Sequence, residues 1–219
     1  MPEREKLTER RIAEEALGLI DEDGIDGLSM RKLGQRLGTT SMSIYTYFTD
    51  KEAVLAGVAQ LILSEVDAPS DEGLDWREVV RRIMWSYREV CHRHINAAPL
   101  AIKYPPTTPD ALAFVEAGFR ALRRAGFDDQ SIARSYRALA AYSFGTLAIE
   151  MNGYYATASA AAAPGARRET LHAATLDKHL PTVAEIRPSL AEQHDAEEFE
   201  YGLELILTGF ADITAAGGS

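Results

Sequence analysis

The sequence predicts an all-α protein, with a three-helix amino-terminal unit ahead of a larger helical domain. Three observations carry that expectation. Apolar residues recur at intervals of three and four, and alternating runs of β-branched residues are absent. Glycine, serine and threonine punctuate the amino-terminal region at the spacing of short capped helices, most clearly in "GLSMRKLGQRLGTTSMSIYTYFTDKEAVL", residues 27–55. Composition then shifts at "DAPSDEGLD", residues 67–75, which reads as a hinge.

The first helix is expected over Thr8–Asp23, with Ile12, Ala16, Leu19 and Ile20 on one stripe, Thr8 as cap and Gly24 just past its end. A second begins after Ser29, places Met30, Leu33 and Leu37 on one side, and stops at Gly38. Thr40 or Ser41 caps a short third helix with Ile44, Tyr45 and Phe48 turned inward, and a fourth runs from Lys51 to Val66. Beyond the hinge come helices over Trp76–His94, Asp110–Ala125, Gln130–Met151 and Ala196–Ala215. "NAAPLAIKYPPTTP" is broken by prolines, "ATASAAAAPGARRET" (156–170) reads as a loop, and "PTVAEIRPSLAEQHD" as irregular or briefly helical. The expected organisation is therefore residues 1–51, a connecting helix over 52–66, and a helical domain over 67–219.

Composition narrows the function classes. With 46% hydrophobic and 26% charged residues, the chain lies outside the disordered class. One cysteine, Cys91, excludes an intrachain disulfide and fits a reducing compartment. The charged start "MPEREKLTERR" is no signal peptide, and no apolar run reaches the roughly 20 residues of a membrane span. The cytoplasm is the expected compartment. No carboxylate pair, nucleophile–base set or phosphate-cradling loop points to an enzyme, and no cofactor is expected. Cys91, His92 and His94 hint at a metal, but only Cys91 and His94 share a helix face, so none is expected.

A net charge of −10 argues against a generic nucleic-acid binder, so the distribution matters. Residues 27–51 hold Arg31, Lys32, Arg36 and Lys51 against Asp50 alone, while Glu14, Glu15, Asp21, Glu22, Asp23 and Asp26 gather just before. Read alone, the corner has two meanings. It is a structural helix corner with capping hydroxyls and half-buried tyrosines, or it is a helix-turn-helix whose hydroxyl-rich second helix approaches phosphates and base edges. The mid-helix glycine, Gly34, costs about 1 kcal/mol relative to alanine and asks for a close crossing as its reason. Tyr47 and Lys51, near the end of that helix, suit phosphate contact.

These residues strongly resemble the tetracycline-repressor (TetR) family of bacterial transcriptional regulators, above all through "IYTYFTDKEAVL" near the amino terminus. The resemblance is tight over residues 8–66 and looser afterwards. The terminal "FEYGLELILTGFADI" is similar to the last dimerisation helix of the branch containing the tetracycline repressors themselves. It implies a ligand-responsive regulator, a repressor or with the same residues an activator, binding a palindromic operator as a homodimer. By position, Thr40, Ser41 and Ser43 match residues facing bases and phosphates in the major groove, and Thr46 and Tyr47 match further groove and backbone contacts. Tyr45 matches a residue partly packed and partly phosphate-facing. Lys51, Ser29 and Arg31 match phosphate contacts. Met42 either touches a thymine methyl or covers the helix start.

The family's second domain binds a small molecule and dimerises. Candidate pocket residues are Trp85, Tyr87, Tyr104, Phe114, Tyr136, Tyr142 and Phe144, a set suited to a flat, largely apolar effector or equally to plain core. Residues 133–148 and 199–213 mix small with large apolar residues, with Gly145, Gly202 and Gly209 permitting close approach. Ala140, Phe144, Ala148, Phe199, Leu203, Ile206 and Phe210 form either a subunit interface or an intrachain seam, which pattern does not separate. The tetracycline repressors place a drug-binding histidine on the fourth helix. Lys51–Val66 has none, so tetracycline is not the expected effector.

Overall fold

The computed structural model describes residues 6–70, 73–152, 179–191 and 195–216, and among them every regular element is a helix. In chain order these are α1 (Glu9–Gly27), α2 (Met30–Arg36), α3 (Ser41–Tyr45), α4 (Lys51–Ser64), α5 (Trp76–Arg93), α6 (Ala98–Lys103), α7 (Pro109–Arg124), α8 (Asp129–Asn152), α9 (Pro181–Ala191) and α10 (Asp195–Ala216). The caps at Thr8, Ser29 and Thr40 fall where the sequence puts them, and Asp50 adds a fourth. Thr8, Ser29, Thr40 and Asp50 each accept a hydrogen bond from a backbone N–H of the first turn they precede. Each such cap contributes about 1 kcal/mol. Gly24, at φ 74°, breaks α1 where the sequence predicts its end, and one further turn follows.

The chain divides into two compact units, Met1–Tyr136 and Arg137–Ser219. In the first, α1 packs on α4, α2 on α3, and α4 on α6 and α7. Ile12, Ile20, Leu33, Ile44, Val54, Val58 and Ile62 are fully enclosed there, so one core joins the amino-terminal helices to α4. The expected hinge at 67–75 lies within this unit. In the second unit, the Tyr142 ring stacks on Phe199 at 5.5 Å and its hydroxyl donates to the Phe199 carbonyl at 2.7 Å. A β-carbon at Gly202 would lie 2.8–2.9 Å from that ring, so the glycine is what lets α8 and α10 meet.

Two helices depart from the sequence reading. The proline-broken segment contains α6, a six-residue helix with a proline in its first turn, where no N–H is lost. The segment expected to be irregular or briefly helical forms the 11-residue α9 despite Pro188 inside it. The expected loop at 156–170 lies outside the described residues. No described helix is long and apolar enough to cross a membrane.

Candidate nucleic-acid interface

The α2–α3 corner is built around backbone contact at Gly34. A β-carbon there would sit 3.1 Å from the Thr39 carbonyl oxygen and 3.2 Å from the Ser41 nitrogen, and Thr39 N–H donates to the Gly34 carbonyl at 2.8 Å. The glycine thus seats the turn on α2, and Gly38 at φ 63° lets the chain reverse into it. Ile44 is fully buried and anchors α3 from below. Phe48, half-buried, closes over Gly57 of α4. With the inner face fixed, helical geometry turns Met42, Tyr45 and Thr46 outward together. All three are exposed, Met42 at 74% and Tyr45, which the periodicity expected to turn inward, at 44%.

The predicted contact residues divide into outward groups and groups engaged within the chain. Arg31 is exposed on α2 and pairs with no carboxylate among the described residues. Ser41, Tyr45 and Thr46 lie on the open face, although the Thr46 hydroxyl also reaches the Met42 carbonyl at 3.5 Å. Ser29 caps α2 through the Lys32 N–H. Thr40 caps α3 and its hydroxyl lies 3.2 Å from that of Ser43. The Tyr47 hydroxyl donates to the Leu7 carbonyl at 2.9 Å, and Lys51 Nζ donates to the Ile25 carbonyl at 3.3 Å. These last two tie the corner to both ends of α1, with the lysine supplying a cation near its carboxyl end.

The basic balance read from residues 27–51 needs correction. Arg36 Nε donates to Glu15 at 2.9 Å and Nη1 to Glu22 at 2.7 Å, and Lys32 lies 3.3 Å from Asp23. Donating hydrogen bonds to Glu22 and Glu15 holds the Arg36 guanidinium above its ordinary range, and Arg36 in turn holds the Glu22 carboxyl below its own. Folding therefore neutralises two of the four basic residues against α1 carboxylates.

Alpha-4 carries the links from this corner to the rest of the unit. Lys103 Nζ and the Tyr104 hydroxyl both donate to Glu52 Oε1, which lowers the Glu52 carboxyl from its ordinary range. Two turns on, Gln60 donates to the Pro105 carbonyl at 3.0 Å and accepts from Thr107 N–H at 2.7 Å and Thr108 N–H at 3.2 Å. The sequence reading missed Glu52 and Gln60, whose partners lie 45–52 residues away and leave no local signal.

Of the candidate pocket residues, Tyr87 and Phe114 meet with ring centroids 6.5 Å apart. Tyr136 meets Phe119 edge-on at 5.6 Å, and the Arg88 guanidinium lies over Trp85 at 5.5 Å. Tyr104 is turned to α4 through Glu52. Tyr142 belongs to the second unit with Phe199, and Phe144 is half-buried in that unit. Cys91 is buried beside Tyr87, and burial pushes its thiol up to about 12. His94 instead places Nδ1 2.8 Å from Asp21 and Nε2 3.3 Å from Glu65. Cys91 and His94 thus serve different contacts.

Of the candidate dimer residues, Phe199, Leu203 and Phe210 are buried in the chain itself, and Ile206 and Ala140 are partly covered. Ala148 is exposed on α8, as are Ala141 and Gly145 one turn apart. On α10 the outward stripe is Tyr201, Leu205 and Gly209, with Tyr201 at 66% and Leu205 at 59% exposure. A β-carbon at Gly145 or Gly209 would meet nothing within 4 Å.

Comparison with known proteins gives two family matches. The model of bacterial regulatory proteins of the tetR family matches residues 12–58, and that of the tetracyclin repressor-like C-terminal domain matches residues 68–213. An HTH-type transcriptional regulator from Saccharopolyspora erythraea is 35% identical over 144 residues, 66% of this chain and 61% of that relative's length. The class D tetracycline repressor protein from Escherichia coli is 28% identical over 211 residues, covering 94% of this chain and 89% of the relative. Among solved structures, the Streptomyces coelicolor TetR family protein ActR in complex with actinorhodin superposes with a TM-score of 0.79 at 26% identity, covering 96% of this chain and 99% of ActR.

Proposed function

From the premise that the chain belongs to the tetR family of bacterial regulatory proteins, we propose that it is a ligand-responsive transcriptional repressor. It binds a palindromic operator as a homodimer and is released by a small apolar or aromatic effector. The observation that carries the DNA-binding part is the corner itself. Gly34 seats a turn that pushes α3 outward, Ser41, Met42, Tyr45 and Thr46 face away from the core, and Arg31 is exposed on α2. A short helix with a hydroxyl and aromatic outer face suits a major groove, and two copies related by a twofold axis suit two half-sites. Ser29, Thr40, Ser43, Tyr47 and Lys51 act chiefly by holding this face in place. The exposed stripes Ala141–Gly145–Ala148 and Tyr201–Leu205–Gly209 are the surfaces we assign to the second copy.

The effector acts through α4. Its first turn carries Lys51, bonded to α1, and Glu52, bonded to the end of α6, while Gln60 holds the α6–α7 connection. Displacing that connection tilts α4 and changes the separation of the two α3 helices. Nearly complete release requires the effector to favour the released state by about 5.5 kcal/mol. ActR, solved in complex with actinorhodin, supports release by a small molecule; the aromatic class rests on the aromatic candidates Trp85, Tyr87, Phe114 and Tyr136. The test is selection of duplexes from a random library by the purified dimer, followed by release with aromatic compounds. Enrichment of a palindrome and its release by such a compound is expected. A folded dimer that enriches no sequence sinks the DNA-binding assignment, and release by no aromatic compound sinks the effector class.

A further inference from the structure

We infer that Met42 is a sequence-reading residue, contacting the 5-methyl group of a thymine at the same place in each operator half-site. The inference rests on α3 being the helix that enters the groove. Met42 is the most exposed large apolar side chain among the described residues, at 74%. That exposure removes the alternative in which it covers the helix start, since Thr40 performs the capping and Ile44 supplies the buried anchor. It stands among hydroxyls, and two of the nearest, Thr40 and Ser43, already lie 3.2 Å from each other. The outer face of α3 therefore presents one long apolar, polarisable side chain whose burial the fold does not use.

The major groove offers a specific counterpart. Base edges there display hydrogen-bonding groups and one apolar group, the C5-methyl of thymine. A thioether on an unbranched stem adapts its rotamer to such a contact and gains dispersion from it. The hydroxyls of Ser41 and Thr46 flank it and suit neighbouring polar edges. Met42 thus confers preference for a T·A pair, without a hydrogen bond.

A palindrome selected by the wild-type chain should contain a T·A pair symmetrically placed in both half-sites. Replacing that thymine by deoxyuridine removes only the methyl group. It should weaken wild-type binding about fourfold per half-site and about fifteenfold for both. Met42→Ala, at an exposed position, should fold and dimerise as wild type and bind thymine and deoxyuridine duplexes equally. Selection by that variant should lose the preference at this pair and keep the rest of the palindrome. Equal wild-type affinity for both duplexes overturns the methyl contact while leaving the operator reading standing. A deoxyuridine penalty that persists undiminished in Met42→Ala also overturns it, because another residue then reads the methyl. Enrichment of no palindrome overturns the inference together with the reading beneath it.

Discussion

Arg36 Nη1 donates to Glu22 Oε2 at 2.7 Å, so the guanidinium at the end of α2 is committed to α1. Arg31, five residues earlier, projects from the same helix with no carboxylate beside it among the described residues. The two arginines should separate cleanly in a salt titration. Arg31→Ala should reduce the slope of log affinity against log salt by about 0.9 per subunit, the value of one phosphate contact. Arg36→Ala should leave the slope unchanged and lower the thermal midpoint. Operator titrations between low and physiological salt, with a melt of each variant, check both.

A β-carbon at Gly34 would meet backbone atoms of residues 39–41 at 3.1–3.3 Å, and backbone yields less than a side-chain tip. Gly34→Ala gains about 1 kcal/mol of helix propensity and loses about 1–3 kcal/mol to overpacking. Its net effect on stability by urea denaturation should be at most about 2 kcal/mol. Operator affinity should fall by at least about tenfold, since a loss of about 0.5 kcal/mol in each of about three contacts is enough.

Gly202 and Gly209 look alike in sequence and should behave oppositely. Gly202→Ala meets the Tyr142 ring and should cost about 1–3 kcal/mol in a denaturation experiment. Gly209 has open space around it, so Gly209→Arg should keep the fold and weaken self-association, read by sedimentation equilibrium.

The Glu52 carboxyl is held low, first by Lys103 and then by Tyr104. A depressed carboxylate stabilises above its unfolded value, about pH 4.3, and loses that contribution as pH falls through the lower folded value. Wild type should therefore be more stable than Glu52→Gln at neutral pH, with the gap closing in acid. Melts from pH 7 to pH 3 check the sign.

Much of the corner was legible because its signals are local. Gly34, Gly38, the hydroxyl caps and Ile44 act within a few residues of themselves, and each stands where its residue type indicates. Charge was not legible: the partners of Arg36 lie 14 and 21 residues away, and only the packing of α2 on α1 brings them together. On α10, apolar residues run round most of the helix, so periodicity did not distinguish the stripe Phe199–Leu203–Phe210 buried in the chain from Tyr201–Leu205–Gly209, which faces out. Prolines hid α6 and α9, since a proline is tolerated in a first turn and Pro188 did not end its helix.

On the reading proposed above, the outer face of α3 is the surface that reads DNA. The most direct test compares duplex selection by wild type with selection by a variant changed only there, Ser41→Ala, Met42→Ala and Thr46→Ala together. Both proteins should fold and dimerise alike, while the variant should lose or alter the central bases of each half-site. The same palindrome, enriched equally by both, would contradict it.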